Sequence, residues 1–199
     1  MVWSGEAGSQ AGPIALSIHA YLEYTVLMNK TLHSSSTAPL LFMLAGIPTS
    51  GKSTYIKGLL RDFPDAVVIS TDDYIEAAAK ETGKTYNEVF DDNIKAANTN
   101  LNDKVASAIK AGKTIIWDQT NLTCNVRRKK LSRFPKSYLK ALVYFNIDLD
   151  TALERNANRL GKVIPPALLR DMHDNYELPT DADRTNFNYV IRGGNWNWA

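Results

Sequence analysis

The chain has 199 residues, 44% of them hydrophobic and 22% charged, which suits one α/β domain and leaves two compact domains cramped. A formal net charge of +2 decides nothing about partners, and the single cysteine, Cys124, rules out an intrachain disulfide and fits a reducing compartment.

Met1 to Pro13 is rich in Gly, Ser and Ala and is expected to be poorly ordered. Ile14 to Asn29 predicts a short helix; its apolar part, broken by His19 and Glu23, falls short of the ~20 residues of a membrane span. The first basic residue is Lys30, so the positive start of a secretory signal is missing, and a soluble, cytoplasmic protein is expected. Met28 stands as an alternative start, and His33 to Pro39 reads as a linker. The expected organisation is an N-terminal extension over 1–38 and one domain over 39–199.

From Leu40 onward short apolar runs alternate with longer amphipathic stretches. Leu40–Ala45 predicts a buried strand, Gly46–Lys52 a turn and Ser53–Arg61 a helix. A second strand is expected over Ala66–Ser70. Asn87–Ala111 has a helical period, with Val89, Phe90, Ile94, Ala97, Leu101, Val105, Ala108 and Ile109 on one side and Gly112 ending it. Thr114–Trp117 and Tyr138–Ile147 hold the third and fourth strands. Thr151–Leu160 predicts a helix capped by Asp150, Pro165 and Pro166 open another that runs to about Tyr176, and Phe187–Ile191 is a fifth strand. Strands alternating with helices imply a five-stranded parallel sheet covered on both faces. Trp196 and Trp198 in the tail serve either as anchors on the domain or as a stacking platform for bases.

Gly46-Ile47-Pro48-Thr49-Ser50-Gly51-Lys52-Ser53 matches G-x-x-x-x-G-K-[ST], the phosphate-binding loop, and it leaves a buried strand to enter a helix. The spacing lets backbone N–H groups wrap phosphates at a positive helix end, with Thr49 and Ser50 small enough for close approach and Thr54 following. Lys52 would reach the β- and γ-phosphates of ATP, and Ser53 would ligate Mg²⁺. Asp72 and Asp73 follow the second strand, where a carboxylate either accepts a proton from an attacking hydroxyl or caps a helix. Asp118 ends the third strand as a candidate Mg²⁺ carboxylate, and Thr120 and Asn121 follow as candidate acceptor contacts or turn formers. Arg155 and Arg159 lie four apart before Gly161-Lys162, in a helix and short loop near 160–164 that would close over phosphates; the alternative is a solvated face pairing with Glu154 or Asp150. Gln119 to Ile147 contains no acid and seven basic residues, including Arg127 and Arg128, and the rest of the chain is net −5 against +2 overall. Such a block suits an anionic partner.

Together these segments resemble the kinase part of phage polynucleotide kinase, in order and approximate spacing, over about residues 40–180. The carriers are the loop, Asp72-Asp73-Tyr74, Thr120-Asn121-Leu122, Arg127-Arg128, Arg155-Asn156-x-x-Arg159 and Ile164-Pro165-x-x-Leu168-Leu169-Arg170-x-Met172. The chain is similar, more loosely, to zeta toxins and antibiotic phosphotransferases. The resemblance implies a P-loop fold, ATP and Mg²⁺ as cofactors, Asp72 as the base facing an acceptor hydroxyl, Lys52 on the phosphates, and Arg159 as a lid arginine supported by Arg155. Asp73, Thr120, Asn121, Arg127 and Arg128 are the matching candidate acceptor contacts. The implied activity is transfer of the γ-phosphate to a nucleic-acid hydroxyl, DNA or RNA, most simply a polynucleotide 5′-hydroxyl. Ile75 stands where the family has an arginine that holds the acceptor's phosphate, and Gln119, with Asp118 one residue earlier, stands where the family has its Asp. These departures keep two enzyme alternatives open, a kinase of a hydroxymethylated base (hydroxymethyluracil) in phage DNA or of a small molecule. A nucleotide-dependent nucleic-acid-binding module is the non-enzymatic alternative.

Overall fold

A computed structural model describes residues 38–194. The expectations for the N-terminal extension and for Trp196 and Trp198 lie outside the described residues. Five strands, β1 (Leu40–Ala45), β2 (Val67–Ile69), β3 (Ile115–Asp118), β4 (Leu139–Tyr144) and β5 (Tyr189–Arg192), form one sheet in the order β2-β3-β1-β4-β5. Every pairing is parallel, with Phe42 opposite both Ile116 and Ala141.

The helices are α1 (Lys52–Asp62), α2 (Asp72–Thr82), α3 (Tyr86–Lys110), α4 (Cys124–Leu131), α5 (Leu149–Ala157), α6 (Pro166–Asp174) and α7 (Asp181–Asn186). Alternation along β1 assigns its side chains to two cores. Leu41, Met43 and Ala45 pack with Leu101, Val105 and Ala108 of α3 and with Leu131 and Phe134. Leu40, Phe42 and Leu44 pack with Tyr55, Ile56 and Leu59 of α1 on the other face. β1 is buried throughout, as the central strand of a parallel sheet covered on both sides must be. Among the described residues no helix is long and apolar enough to cross a membrane.

Several boundaries differ from the sequence expectation. Asp148, not Asp150, caps α5: its Oδ1 accepts from the Thr151 N–H at 2.8 Å, and Asp150 lies inside the first turn. α5 stops at Ala157, short of Leu160, because buried Asn156 exchanges two hydrogen bonds with the backbone of Ile164, at 2.7 and 3.0 Å. That exchange closes residues 157–163 into a loop. β5 begins at Tyr189 because Phe187 caps α7, a short helix that periodicity does not reveal; Thr180 and Asp183 bracket its start in a capping box. Thr71, and neither Asp72 nor Asp73, is the N-cap of α2; both carboxylates sit in its first turn, where the helix dipole favours them. Ile75 is fully buried with Ala79, Tyr86, Val89 and Ala97 between α2 and α3.

Candidate active site

The site lies at the carboxyl ends of β1, β2 and β3. Crossovers from β1 lead to one side of the sheet and those from β3 to the other, and such switch points open a crevice in parallel sheets. The crevice is a cavity of about 750 Å³.

The loop after β1 forms its floor. Gly46 has no room for a side chain: a Cβ there would lie 3.0 Å from the carbonyl oxygen of Phe145 and 2.9 Å from Ser50 Oγ. Gly51 is left-handed (φ 100°) and turns the chain into α1, whose N-terminus has no side-chain cap, so its first N–H groups remain for an anion. Thr49 also has a positive φ, 68°, and its Oγ1 donates to the Ala152 carbonyl at 3.1 Å, docking the loop on α5. Arg155 donates to the Thr49 carbonyl at 3.3 Å from the same helix. Lys52 Nζ folds back onto the loop, donating to the carbonyls of Gly46 (2.8 Å) and Ile47 (2.7 Å). Burial lowers its pKa to about 8, against the pull of Asp118 and Asp72 and with help from Arg159 and Lys162.

Asp72 faces the loop from α2. Its Oδ1 accepts from the Tyr86 hydroxyl at 2.8 Å, and its Oδ2 is paired with Lys162, which also reaches Glu76 at 3.1 Å. Lys162 Nζ lies 4.1 Å from the centre of the Tyr86 ring. Burial, then the Asp72 charge and hydrogen bond, push the Tyr86 hydroxyl far above its ordinary pKa, so it stays a donor. Asp118, at the end of β3, has a raised pKa: burial dominates over the attraction of Lys52.

The residues proposed from sequence divide into two groups. Thr49, Gly51, Lys52, Ser53, Thr54, Asp72, Asp118, Thr120, Arg155 and Arg159 line the cavity, while Gly46 and Ser50 shape the loop behind it. Asp73 is exposed on α2, away from the cavity lining. Asn121, proposed as an acceptor contact, is a buried brace: its Nδ2 donates to the Leu44 carbonyl at 2.6 Å and its Oδ1 accepts from Lys130. Arg127, proposed for the same role, is fully buried; it makes a two-pronged ion pair with Asp183 at 2.9 and 2.6 Å and donates to the carbonyls of Asn121, Leu122 and Glu177. An arginine so enclosed, with its charge paired to Asp183, presents no surface to a ligand. Arg128 is exposed and bonds Asn125 on its own helix, outside the cavity lining.

Sequence reasoning missed Tyr86 and Lys162 as partners of Asp72. Gly161-Lys162 had marked the loop without giving Lys162 a role, and nothing in the sequence distinguishes Tyr86 from an ordinary first-turn residue. The loop fits the expected cofactors. Uncapped N–H groups and the cations Lys52, Arg155, Arg159 and Lys162 suit a triphosphate. Ser53 and Asp118 supply two oxygens, enough for Mg²⁺, which takes its remaining ligands from phosphate and water.

A family model described as AAA domain matches residues 41–179. The chain belongs to that family, a family of P-loop kinases. It is 26% identical over 148 residues to an L-seryl-tRNA(Sec) kinase of Methanococcus maripaludis, covering 70% of this chain and 53% of the relative, so the chain spans about half the length of that protein. Among solved structures, a chain of the Pnkp1/Rnl/Hen1 RNA repair complex superposes with a TM-score of 0.56 at 17% identity, over 78% of this chain and 48% of the other. A chain of the PezAT chromosomal toxin–antitoxin system of Streptococcus pneumoniae gives 0.51 at 16% identity, over 88% and 76%. At these identities the structures show a shared fold. The chain is thus a member of the AAA domain family, with the five-stranded parallel sheet expected from its sequence.

Proposed function

We propose that this kinase transfers the γ-phosphate of ATP, with Mg²⁺, to a hydroxyl carried by nucleic acid. The observation that carries the reading is the Asp72 carboxylate, held by Tyr86 at the end of β2 and facing the Lys52 loop across one cavity. In the transfer, the bond from the γ-phosphorus to the bridging oxygen breaks and a bond to the acceptor oxygen forms. The acceptor proton passes to Asp72, and ADP leaves. Lys52, Arg155, Arg159 and Lys162 hold the charge of the moving phosphoryl group; Lys162 must leave Asp72 as the phosphates and the acceptor enter. Mg²⁺ would neutralise phosphate oxygens from the side of Ser53 and Asp118. The alcohol acceptor on a tRNA implied by the relative's name supports a hydroxyl carried on nucleic acid.

A polynucleotide 5′-hydroxyl is the simplest such acceptor. A second reading, a hydroxymethylated base swung out of its stack, is favoured by the walls beyond Asp72. All the cavity's cations belong to the loop, α5 and the 157–163 segment; the lining from α3, α6 and the turn after β3 carries Phe90, Asp91, Ile94, Leu168 and Met172 but no Lys or Arg. A 5′ end brings a phosphate close to its hydroxyl and calls for a cation there, and position 75 supplies none, because Ile75 faces the helix core.

The test is transfer of labelled γ-phosphate to single- and double-stranded DNA, RNA, hydroxymethyluracil-containing DNA and free nucleosides. Label in a nucleic acid, lost in Asp72→Asn, is the expected result. Label confined to free small molecules would overturn the nucleic-acid reading, and no label in any hydroxyl would overturn the activity.

A further inference from the structure

We propose that Gln119 is the specificity residue of the acceptor pocket, presenting N–H donors that select an acceptor with an uncharged carbonyl or ring nitrogen near its hydroxyl. The inference deepens the kinase reading and rests on it.

Gln119 lines the cavity in the turn between Asp118 and Thr120. Its Oε1 receives two hydrogen bonds from below, from Trp117 Nε1 at 2.9 Å and from Lys130 Nζ at 2.6 Å. An indole N–H and an ammonium can only donate, so chemistry alone fixes which end of the amide meets them. The oxygen is consumed, and the Nε2 end is left with two donors and no partner among the described residues.

The support is rigid. Trp117 is fully buried. Lys130 lies 5.3 Å from the centre of the Trp117 ring and also donates to Asn121 Oδ1 at 2.6 Å. Asn121 in turn is pinned to the Leu44 carbonyl of β1. The Gln119 amide therefore cannot turn over to offer its oxygen without stranding two donors, one of them charged. A carboxylate at this place would offer only acceptors, the opposite of what the Gln119 amide presents.

The surrounding wall agrees. Phe90, Ile94 and Met172 contribute apolar surface, which suits a neutral planar group lying between α3 and α6 with its hydroxyl toward Asp72. Lys130 is then a positioning residue that acts through Gln119.

Two matched probes test this with the full chain: the nucleoside 5-hydroxymethyl-2′-deoxyuridine, which carries ring carbonyls, and benzyl alcohol, which has a ring and a hydroxymethyl group but no carbonyl. In protein loaded with a non-hydrolysable ATP analogue, the ¹⁵N side-chain amide signals of Gln119 are followed on titration. The nucleoside should shift them at concentrations where benzyl alcohol does not. Equal response, or none, overturns the proposal whether or not turnover is seen. With hydroxymethyluracil DNA as acceptor, Gln119→Glu should raise the acceptor KM by about tenfold to a hundredfold, the usual effect of losing a buried donor and facing an unpaired acceptor, and leave the ATP KM within about twofold. Lys130→Met should repeat that split and Lys130→Arg should largely restore it, which a general folding defect would not do. Phosphorylation with an unchanged acceptor KM in Gln119→Glu sinks the proposal and spares the kinase reading. An amide shift without phosphorylation of any acceptor sustains the pocket and sinks the kinase reading.

Discussion

Replacing Lys52 with Met should abolish transfer and at the same time make the fold more stable at neutral pH. The side chain sits in a closed loop, and burial lowers its pKa from 10.5 to about 8. At neutral pH the lysine is still charged, so the folded state bears a desolvation cost of about 3 kcal/mol at ~1.4 kcal/mol per pKa unit. Nζ gives up two hydrogen bonds to loop carbonyls on substitution, and the site is partly open to water, so the expected net gain is about 1–2 kcal/mol. The sign follows from linkage. A lysine whose folded pKa lies below its unfolded value carries its penalty in full below about pH 8 and loses it between about 8 and 10.5, because the unfolded chain binds more protons there. Wild-type stability should thus rise relative to Lys52→Met across that window, and the two should converge above it. Lys130, whose burial also lowers its pKa to about 8, is present in both proteins and cancels in the difference. The assay is urea unfolding of both proteins from pH 6 to 10.5, beside labelled phosphate transfer. A variant less stable at pH 7, or a difference that ignores pH, would refute the electrostatic reasoning. Near-normal transfer in the folded variant would refute the role of the loop.

Asp72→Asn should lower the rate of the chemical step by several orders of magnitude with ATP affinity nearly unchanged, while Asp73→Asn, altered at an exposed position outside the cavity lining, should leave turnover within about threefold; single-turnover transfer and ATP titration separate the two. Arg159→Ala should slow transfer by about a hundredfold or more, since Arg159 lines the cavity with the other phosphate-side cations, and full activity would return it to the surface. Asp183→Ala should destabilise the fold by about 3–5 kcal/mol, because it leaves the Arg127 guanidinium charged and enclosed; the check is the urea midpoint, and a midpoint shift under about 1 kcal/mol would show the pair to be dispensable.

The sheet was legible because its signals are local. β1 is a run of six apolar residues leading into a complete phosphate-loop motif, and the strand–helix alternation follows from short and long periods in the chain. The loop side of the cavity was legible for the same reason: Lys52, Ser53, Asp118, Arg155 and Arg159, which line it, sit at strand ends or in a spaced motif. The acceptor side was not. Tyr86 is 14 residues from Asp72 and Lys162 is 90, and only the folding of α3 and the 157–163 loop over α2 brings them together. Ile75 shows the converse. As a missing phosphate contact it was a gap, and in the fold it is a core residue that seals α2 onto α3.

The acid-free stretch Gln119–Ile147 shows how a charge count misleads. Arg127, Leu131 and Phe134 are buried at helical spacing, so Arg127 occupies an apolar phase of α4, a sign that it needs an enclosed acidic partner. That partner, Asp183, lies 56 residues away and could not be read from sequence. Lys130 is also taken up inside the domain, by Gln119 and Asn121, and Arg133, though exposed, is engaged by Asn102 and the Trp117 ring. Of the seven cations, only Arg128, Lys129 and Lys136 stand exposed with no partner beyond their own segment among the described residues, and Lys140 is half-buried in β4. A nucleic acid bound along this surface therefore meets about three phosphate-binding side chains, so the logarithm of affinity should fall with the logarithm of salt with a slope near −3, well short of the six or more implied by the raw count. Reversing both Arg128 and Lys129 to Glu should remove about two from that slope with the urea midpoint nearly unchanged, since both are exposed. Arg127→Glu should instead place two carboxylates against each other in a closed site and collapse the fold before any binding can be measured. Oligonucleotide binding from 50 to 300 mM salt checks both statements. A slope of −6 or steeper, or a folded Arg127→Glu protein with weakened binding, would mean that the buried cations are reaching the ligand after all.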